Sequence, residues 1–344
     1  MRTANIIGED VERLVTYVKD RGIAFDGKRI LVTGGAGFLG SWLCDVLTRL
    51  GAYVICIDNF SSGLRQNIQG LLGLENFKFV EHDVSQPIFF EDKIDVVLHL
   101  SSRASPLEFS KFPIQIMKAN TLGTWVALGI AKKHEARFIY ASSSEIYGDP
   151  DPEHIPTPEV YWGNVNPLGV RSCYDEAKRA GETFVKAYEI QHGIDVRILR
   201  IFNTYGPRLR SGDLYGRVVS RFIDQALNNQ PLTVFGEGTQ TRSFTYISDT
   251  VEGILRVANA SNAHGEVINI GNNREMQIIE LAHMIIRLAH SESQIEFHPL
   301  PPDDPRRRCP DIGKAIRILD WQPRTSCEDG LTKTIEWFKQ SSQQ

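Results

Sequence analysis

Long apolar runs are missing from this 344-residue chain. No window approaches the roughly 18 consecutive apolar residues that span a bilayer, so no membrane association is expected. The N-terminal stretch "MRTANIIGEDVERLVTYVKDRGIAFDGKR" also lacks the apolar centre of a signal peptide. Charge of one sign is scarce as well. Lys and Arg total 38 against 42 Asp and Glu, a formal net charge of −4, which argues against a general nucleic-acid or anionic-surface binder. Cysteine is sparse, odd in number and scattered at 44, 56, 173, 309 and 327, with no CxxC pair. No His/Cys cluster has metal-ligand spacing, so no metal site is expected, and a reducing, cytoplasmic setting follows.

What is present is an alternation. Short β-branched runs ("RILVTGG", "AYVICIDN", "FKFVEHD", "DVVLHLSS", "RFIYASSS", "DVRILRIFN") are separated by stretches of helical period. Continuous apolar strands alternating with helices predict an α/β fold, a doubly wound parallel sheet covered on both faces. Val11, Leu14, Val15 and Val18 fall at helical spacing, so residues 1–27 read as a helical extension. Residues 28–203 read as a nucleotide-binding domain to which 236–262 return, and 204–235 with 263–340 as a smaller lobe over the end of the sheet. Trp125 and Met284 read as core, and His99 as a core residue or one standing behind the site.

"RILVTGGAGFLGSWLCDVL" is a strand, a Gly-rich turn and a helix, with Gly34, Gly37 and Gly40 in a G-x-x-G-x-x-G pattern. Glycines allow the tight turn and the close approach of backbone to a pyrophosphate, whose charge meets the helix N-terminus. Asp58 ends the next strand, 18 residues past Gly40. A carboxylate there accepts hydrogen bonds from the adenosine ribose hydroxyls and repels a 2′-phosphate, which favours NAD over NADP. Asp83 ends a further strand as a candidate adenine contact. Phe38 and Leu39 in the turn, Asn59 and Val84 beside the two carboxylates, and Leu100 after "DVVLH" complete the expected cofactor contacts.

Tyr174 and Lys178 stand four residues apart, so both reach one face of a helix. A phenol is a poor base near neutrality; a neighbouring ammonium favours its ionised form and lets it take a hydroxyl proton. The strand end "ASSSEIYG" places Ser142, Ser143 and Glu145 where a substrate should lie.

Together these motifs resemble the extended short-chain dehydrogenase/reductases, the nucleotide-sugar-modifying branch, over residues 28–339. Within that branch, "YWGNVNPLGVRSCYDEAKR", "RIFNTYGPR", "GRVVSRFI", "PLTVFGEGTQTRSFTYISD" and "DDPRRRCPDI" are similar to the UDP-glucuronate decarboxylases. The resemblance implies an NAD-dependent enzyme, a UDP-sugar substrate and a homodimer built through paired helices. It implies Tyr174 as base, Lys178 as its partner on the nicotinamide ribose, and Ser143 on the hydroxyl being oxidised. Glu145 is then at the reacting end of the sugar and Lys118 on the cofactor side. Asn203 and Arg242 would hold the diphosphate, Val219 and Phe235 would line the uracil, and Arg308 would be brought to the substrate. Related 4,6-dehydratases and 4-epimerases open with the same Tyr/Lys/NAD chemistry and remain alternatives. A dehydratase carries Asp-Glu where this chain has Ser144-Glu145. Arg103 stands where the branch usually has proline, the following "LEFSKFP" lacks the usual tyrosines, and the segment 210–215 is about two residues longer than expected. Arg103 therefore joins Arg308 as a candidate for the sugar carboxylate.

Overall fold

Strands that are apolar on both faces must be covered on both faces, and the chain meets that demand with parallel strands joined by helices. The computed structural model describes residues 5–210, 217–300 and 305–341. In order come α1 (Ile6–Lys19), β1 (Arg29–Thr33), α2 (Phe38–Arg49), β2 (Tyr53–Asp58), β3 (Phe77–Glu81) and β4 (Val96–His99). Next are α3 (Pro106–Lys111), α4 (Pro113–Asn120), α5 (Leu122–His134), β5 (Arg137–Ser143), α6 (Ser172–His192) and β6 (Val196–Ile201). Short strands follow, β7 (Thr204–Tyr205), β8 (Leu232–Phe235), β9 (Thr241–Ser243) and β10 (Thr245–Tyr246), with α7 (Val218–Leu227) before β8 and α8 (Ile247–Asn259) after β10. The chain closes with β11 (Val267–Ile270), β12 (Glu275–Gln277), α9 (Ile278–Ala289), β13 (Ile295–His298), β14 (Arg307–Arg308), α10 (Gly313–Leu319) and α11 (Cys327–Ser341).

Seven strands form one parallel sheet in the order β11-β6-β5-β4-β1-β2-β3. The expected doubly wound sheet is thus present, and its strand order reverses between β1 and β4. One face carries α5 and α6, which bury Ala127, Leu128 and Val185 against Leu31, Val97 and Phe138. The other carries α2 and α8, with Trp42, Val251 and Leu255 packed on Val32 and Leu98.

Helix α1 is more closely joined to the core than an extension. It buries Val11, Leu14, Val15 and Val18, and its buried Asp10 accepts from the Tyr246 hydroxyl at 2.7 Å and the Lys333 ammonium at 2.5 Å. The lobe boundary at 263 also needs correction. β11 pairs with β6 in the main sheet, Ile268 beside Leu199, because "VINI" is apolar enough to continue the sheet. Three small sheets, β10-β7, β12-β9-β14 and β13-β8, stand apart from it. Trp125 is not core: it is 51% exposed, since α5 is apolar on most sides and its pattern does not say which face meets the sheet. Met284 packs against the core, half-buried.

Candidate active site

A cleft of about 780 Å³ runs along the carboxyl ends of the main strands, lined from Gly34 and Asp58 through Ser143 and Tyr174 to Arg242 and Arg308. This is where an open α/β sheet offers its crevice, at the reversal of strand order.

At one end the Gly-rich turn leaves no room for side chains. Gly34 takes a φ of +70°, and a Cβ there would stand 2.9 Å from the Ser101 Cα. A Cβ on Gly40 would stand 2.1 Å from the Gly34 carbonyl oxygen, so α2 rests on the strand end. No side chain caps α2 at Gly37, and Phe38 and Leu39 at its start line the cleft, at the helix end where backbone N–H groups lack intrahelical partners. Asp58 accepts from the Ala36 N–H at 3.0 Å and the Phe60 N–H at 2.8 Å. Burial raises its pKa while those bonds lower it. A cradle that a Cβ would fill, an uncapped helix start and a carboxylate ending β2 together fit a dinucleotide such as NAD.

The other expected cofactor residues also line the cleft. Asn59 is exposed and accepts from the Ser61 N–H. Asp83 turns onto Ser85, accepting its N–H at 2.9 Å and its hydroxyl at 2.8 Å. Val84 packs at Gly123, where a Cβ would come within 2.9 Å of its methyl. Leu100 donates its N–H to the Thr33 carbonyl, and Lys118 is exposed at the rim.

The middle of the cleft holds the reactive-looking groups. Tyr174 is buried and stacks on Phe109 with ring centroids 5.1 Å apart. Burial pushes the phenol up to about 12, with a hydrogen bond from Ser143 working against it. Lys178 does not bond that phenol: its ammonium donates to the Ala141 carbonyl at 2.7 Å and lies 5.8 Å from the Tyr174 ring centroid. Burial lowers Lys178 to about 7. Behind it His99 is buried between the hydroxyls of Thr33 and Thr124, and burial lowers it to about 3, which keeps it neutral.

Ser143 accepts from the Glu145 N–H at 3.3 Å. Ser142 differs from expectation: although it borders the cleft, its hydroxyl donates to Glu182 at 2.6 Å, inside an ion pair of Glu182 with Arg200. Neighbouring strand residues point to opposite faces, so Ser142 and Ser143 cannot serve one ligand equally. Glu145 is clamped, with Arg171 on one carboxylate oxygen and Arg308 on the other. Burial opposes its ionisation, but the two guanidinium groups prevail and hold it at about 2. Arg308 also donates to the Gly148 carbonyl at 3.2 Å.

Two groups here escaped the sequence reading. Arg171 is three residues before Tyr174, over the Phe109 ring and 4.0 Å from Asp175; that spacing was its only signal. Asp175 is buried, and burial followed by the charge of Glu145 pushes its carboxyl up to about 7.

At the far end Asn203, Val219, Phe235 and Arg242 all line the cleft. The Asn203 amide nitrogen is buried with no hydrogen-bond partner among the described residues. Arg221 lies over the Phe235 ring at 4.9 Å, and Arg242 donates to the Thr241 carbonyl at 2.8 Å. Arg103 reaches the cleft wall, but Glu108 already pairs with it at 2.5 Å and Phe112 lies beneath it at 4.5 Å. Apart from Arg210, the segment expected to be longer lies outside the described residues.

Comparison with known proteins places these features in context. The NAD dependent epimerase/dehydratase family matches residues 30–271. The chain is 49% identical to UDP-glucuronic acid decarboxylase 1 of Danio rerio, over 91% of this chain and 73% of that one. It is 47% identical to UDP-glucuronic acid decarboxylase 1 of Arabidopsis thaliana, over 92% and 71%. The fold superposes on the UDP-glucuronic acid 4-epimerase of Bacillus cereus, solved with UDP-glucuronic acid and NAD, with a TM-score of 0.80 at 32% identity, covering 91% and 99%.

Two outcomes are expected. Asp58→Ser should narrow the preference for NAD over NADP by roughly tenfold, about 1.4 kcal/mol, when both affinities are measured by calorimetry; equal affinities in the unaltered protein would refute the assignment. The second concerns Asp175. Between its ordinary value of 3.8 and about 7, the folded chain keeps a proton that the unfolded chain releases. Stability therefore falls as pH rises through that window. Asp175→Asn removes the effect, so its stabilisation should be larger at pH 8 than at pH 5 by on the order of 2 kcal/mol. Thermal denaturation at both pH values decides, and an equal shift at both would count against it.

Proposed function

The chain belongs to the NAD-dependent epimerase/dehydratase family, and we propose that its reaction is the NAD-dependent decarboxylation of UDP-glucuronate to UDP-xylose. The observation that carries the reading is Glu145, held as an anion between two arginines on the wall that also bears Ser143 and Tyr174. Identity of 46–49% to decarboxylases of animals and plants supports it.

The residues divide the work as follows. Asn203 and Arg242 hold the diphosphate, with the uracil beside Val219 and Phe235. Asp58 takes the adenosine ribose of the cofactor, and Lys178, anchored on the Ala141 carbonyl, faces the nicotinamide ribose. Ser143 bonds the 4-hydroxyl of the sugar, and Tyr174 takes its proton. NAD held at the Gly-rich turn and Asp58 would supply the acceptor for the C4 hydride and its later return, and its positive ring would favour the phenolate. The oxidised sugar is a ketone β to its carboxylate. Its C5–C6 bond breaks, the electrons enter the carbonyl as an enolate, and carbon dioxide departs; C5 then gains a proton.

Glu145 separates this outcome from dehydration. Eliminating water needs an acid to protonate the departing hydroxyl. A carboxylate held at about 2 by Arg171 and Arg308 has no proton to give at neutral pH, and the neighbouring position is Ser144, not an aspartic acid.

Residues 28–203 with 247–271 form the NAD-binding part, and 204–246 with 272–340 form the UDP-sugar part, since β9 and β10 pair with strands of the smaller sheets rather than the main one. Five free cysteines support a reducing, cytoplasmic setting; among the described residues no helix is long and apolar enough to cross a membrane. The functional unit is a homodimer. Ile114, Met117, Leu122 and Trp125 on α4 and α5 are between 42% and 59% exposed, an apolar surface beside α6 suited to a second copy.

Two tests follow. Mass analysis of products from UDP-glucuronate should show loss of carbon dioxide, and Tyr174→Phe should keep the fold and NAD affinity while losing turnover. Loss of water, or a product of unchanged mass, would overturn the reaction assigned. Trp125→Glu should shift the protein from dimer to monomer by light scattering; an unaltered mass would remove α5 from the interface.

A further inference from the structure

Ser143, Glu145, Lys178 and Arg308 each have a chain neighbour in one largely buried polar network. The Ser142 hydroxyl, beside Ser143, donates to Glu182 at 2.6 Å. Glu182 lies one turn past Lys178 on α6 and accepts two N–H groups of Arg200, at 3.0 and 2.8 Å. Arg200 also donates to the Tyr147 hydroxyl at 2.9 Å, and that hydroxyl donates to the Asn269 side-chain oxygen at 2.8 Å. The Asn269 amide nitrogen donates to the carbonyls of Thr157 at 2.9 Å and Asp311 at 3.1 Å. Carbonyl oxygens only accept, so they take the nitrogen and leave the amide oxygen to the phenol. Asn269 is fully buried, and its amide uses both N–H groups and its oxygen, so it has one orientation.

Two of these bonds reach segments that carry the reacting end. Tyr147 closes the short helical turn Ser144–Tyr147, which bears Glu145. Thr157 donates its N–H to the Cys309 carbonyl at 2.8 Å and accepts the Asp311 N–H at 3.0 Å, gripping the chain just past Arg308. Asn269 itself belongs to β11 of the main sheet, in register with Arg200 on β6. We propose that Asn269 is a positioning residue for the reacting end: from the main sheet, its one side chain bridges the turn that bears Glu145 and the segment that bears Arg308, and so sets the ion pair between them. That pair joins residues 163 apart in the chain, and a displacement of about 1 Å at such a site can cost a hundredfold in rate. Neither Tyr147 nor Asn269 lines the cleft, so their effect on a ligand passes through the residues they hold. Ser142 thereby gains a role that the cleft does not give it: it ties the end of β5 to the same network through Glu182.

The inference rests on the UDP-glucuronate reading for its substrate, and the test keeps the two apart. Carbon dioxide release from UDP-glucuronate is measured on NAD-saturated protein, at a temperature where circular dichroism shows every variant folded. Affinities for NAD and UDP are measured beside it by calorimetry. Asn269→Ala removes three bonds and should lower kcat by roughly ten- to a hundredfold. Tyr147→Phe removes one bond, keeps the ring, and should lower kcat by roughly three- to tenfold. Both should leave NAD and UDP, neither of which carries the sugar acid, within ~threefold in affinity. Tyr246→Phe is the control: it removes a buried phenol's bond of similar length, 2.7 Å to Asp10, and should lower stability while keeping kcat. An unchanged kcat, a kcat lowered no further than in Tyr246→Phe, or an equal loss of NAD and UDP affinity would each overturn the proposal. Should Asn269→Ala fail to fold, Tyr147→Phe decides alone by the same readouts. If unaltered protein releases no carbon dioxide from UDP-glucuronate, the substrate reading falls, and a crystal structure of the folded variant judges the positioning. Arg308 parted from Glu145 supports it there, and an unmoved ion pair overturns it.

Discussion

All seven strands of the main sheet point the same way, and the site depends on that polarity. Parallel pairing brings every carboxyl end to one edge, so Thr33, Asp58, His99, Ser143 and Ile201 terminate side by side although up to 168 residues separate them. A parallel neighbour can be reached only by a crossover, and each crossover lays a helix on the sheet. Helix α6, which follows β5, therefore returns Tyr174 and Lys178 to the edge that Ser143 and Glu145 already occupy. The close approach of Gly40 to the Gly34 carbonyl belongs to the same constraint, since α2 can start at the strand end only if nothing projects between them.

Burial of charge is the second theme. At Lys178, Asp175 and Glu145 loss of water disfavours the charged form, and the outcome depends on what stands opposite. Lys178 has a backbone carbonyl and falls to about 7; Asp175 has Glu145 near it and rises to about 7; Glu145 has two guanidinium groups and goes down to about 2. Three ionisable groups within two turns of α6 and one adjoining loop are thereby spread over about five pH units. Neither Lys178 nor Tyr174 is activated by direct contact with the other. The ammonium donates to the Ala141 carbonyl and lies 5.8 Å from the Tyr174 ring centroid, so the two share no hydrogen bond.

Much of this was legible in the sequence because it is local. Strand-helix alternation, the glycine turn, Asp58 at a strand end and the four-residue spacing of Tyr174 and Lys178 are all patterns within a few residues, and the structure brings each to the cleft. What the sequence hid is relational. Arg171 looks like any arginine before a helix until Glu145, 26 residues earlier, is found against it. Trp125 fits the apolar pattern of α5, yet only the placement of that helix on the sheet decides that it faces outward. Ser142 and Ser143 are alike in sequence and diverge because a strand alternates its faces. "VINI" was assigned to the smaller lobe because its partner, β6, lies about 70 residues away.

The family scaffold is shared by enzymes that invert, dehydrate or decarboxylate, so the common Tyr/Lys/cofactor arrangement cannot decide between them. The decision falls to the groups at the reacting end of the sugar. A ketone once formed can be rotated, can eliminate, or can lose a β-carboxylate. An acid proton there favours elimination, whereas a carboxylate kept ionised has none to give. In this chain β14 contributes Arg308 to that end: it pairs with β9 in a small sheet, Arg308 beside Arg242. One two-residue pairing thus sets two arginines of the cleft side by side. The small sheet thereby brings Arg308 to Glu145, which stands just past the end of β5 in the parallel sheet beneath.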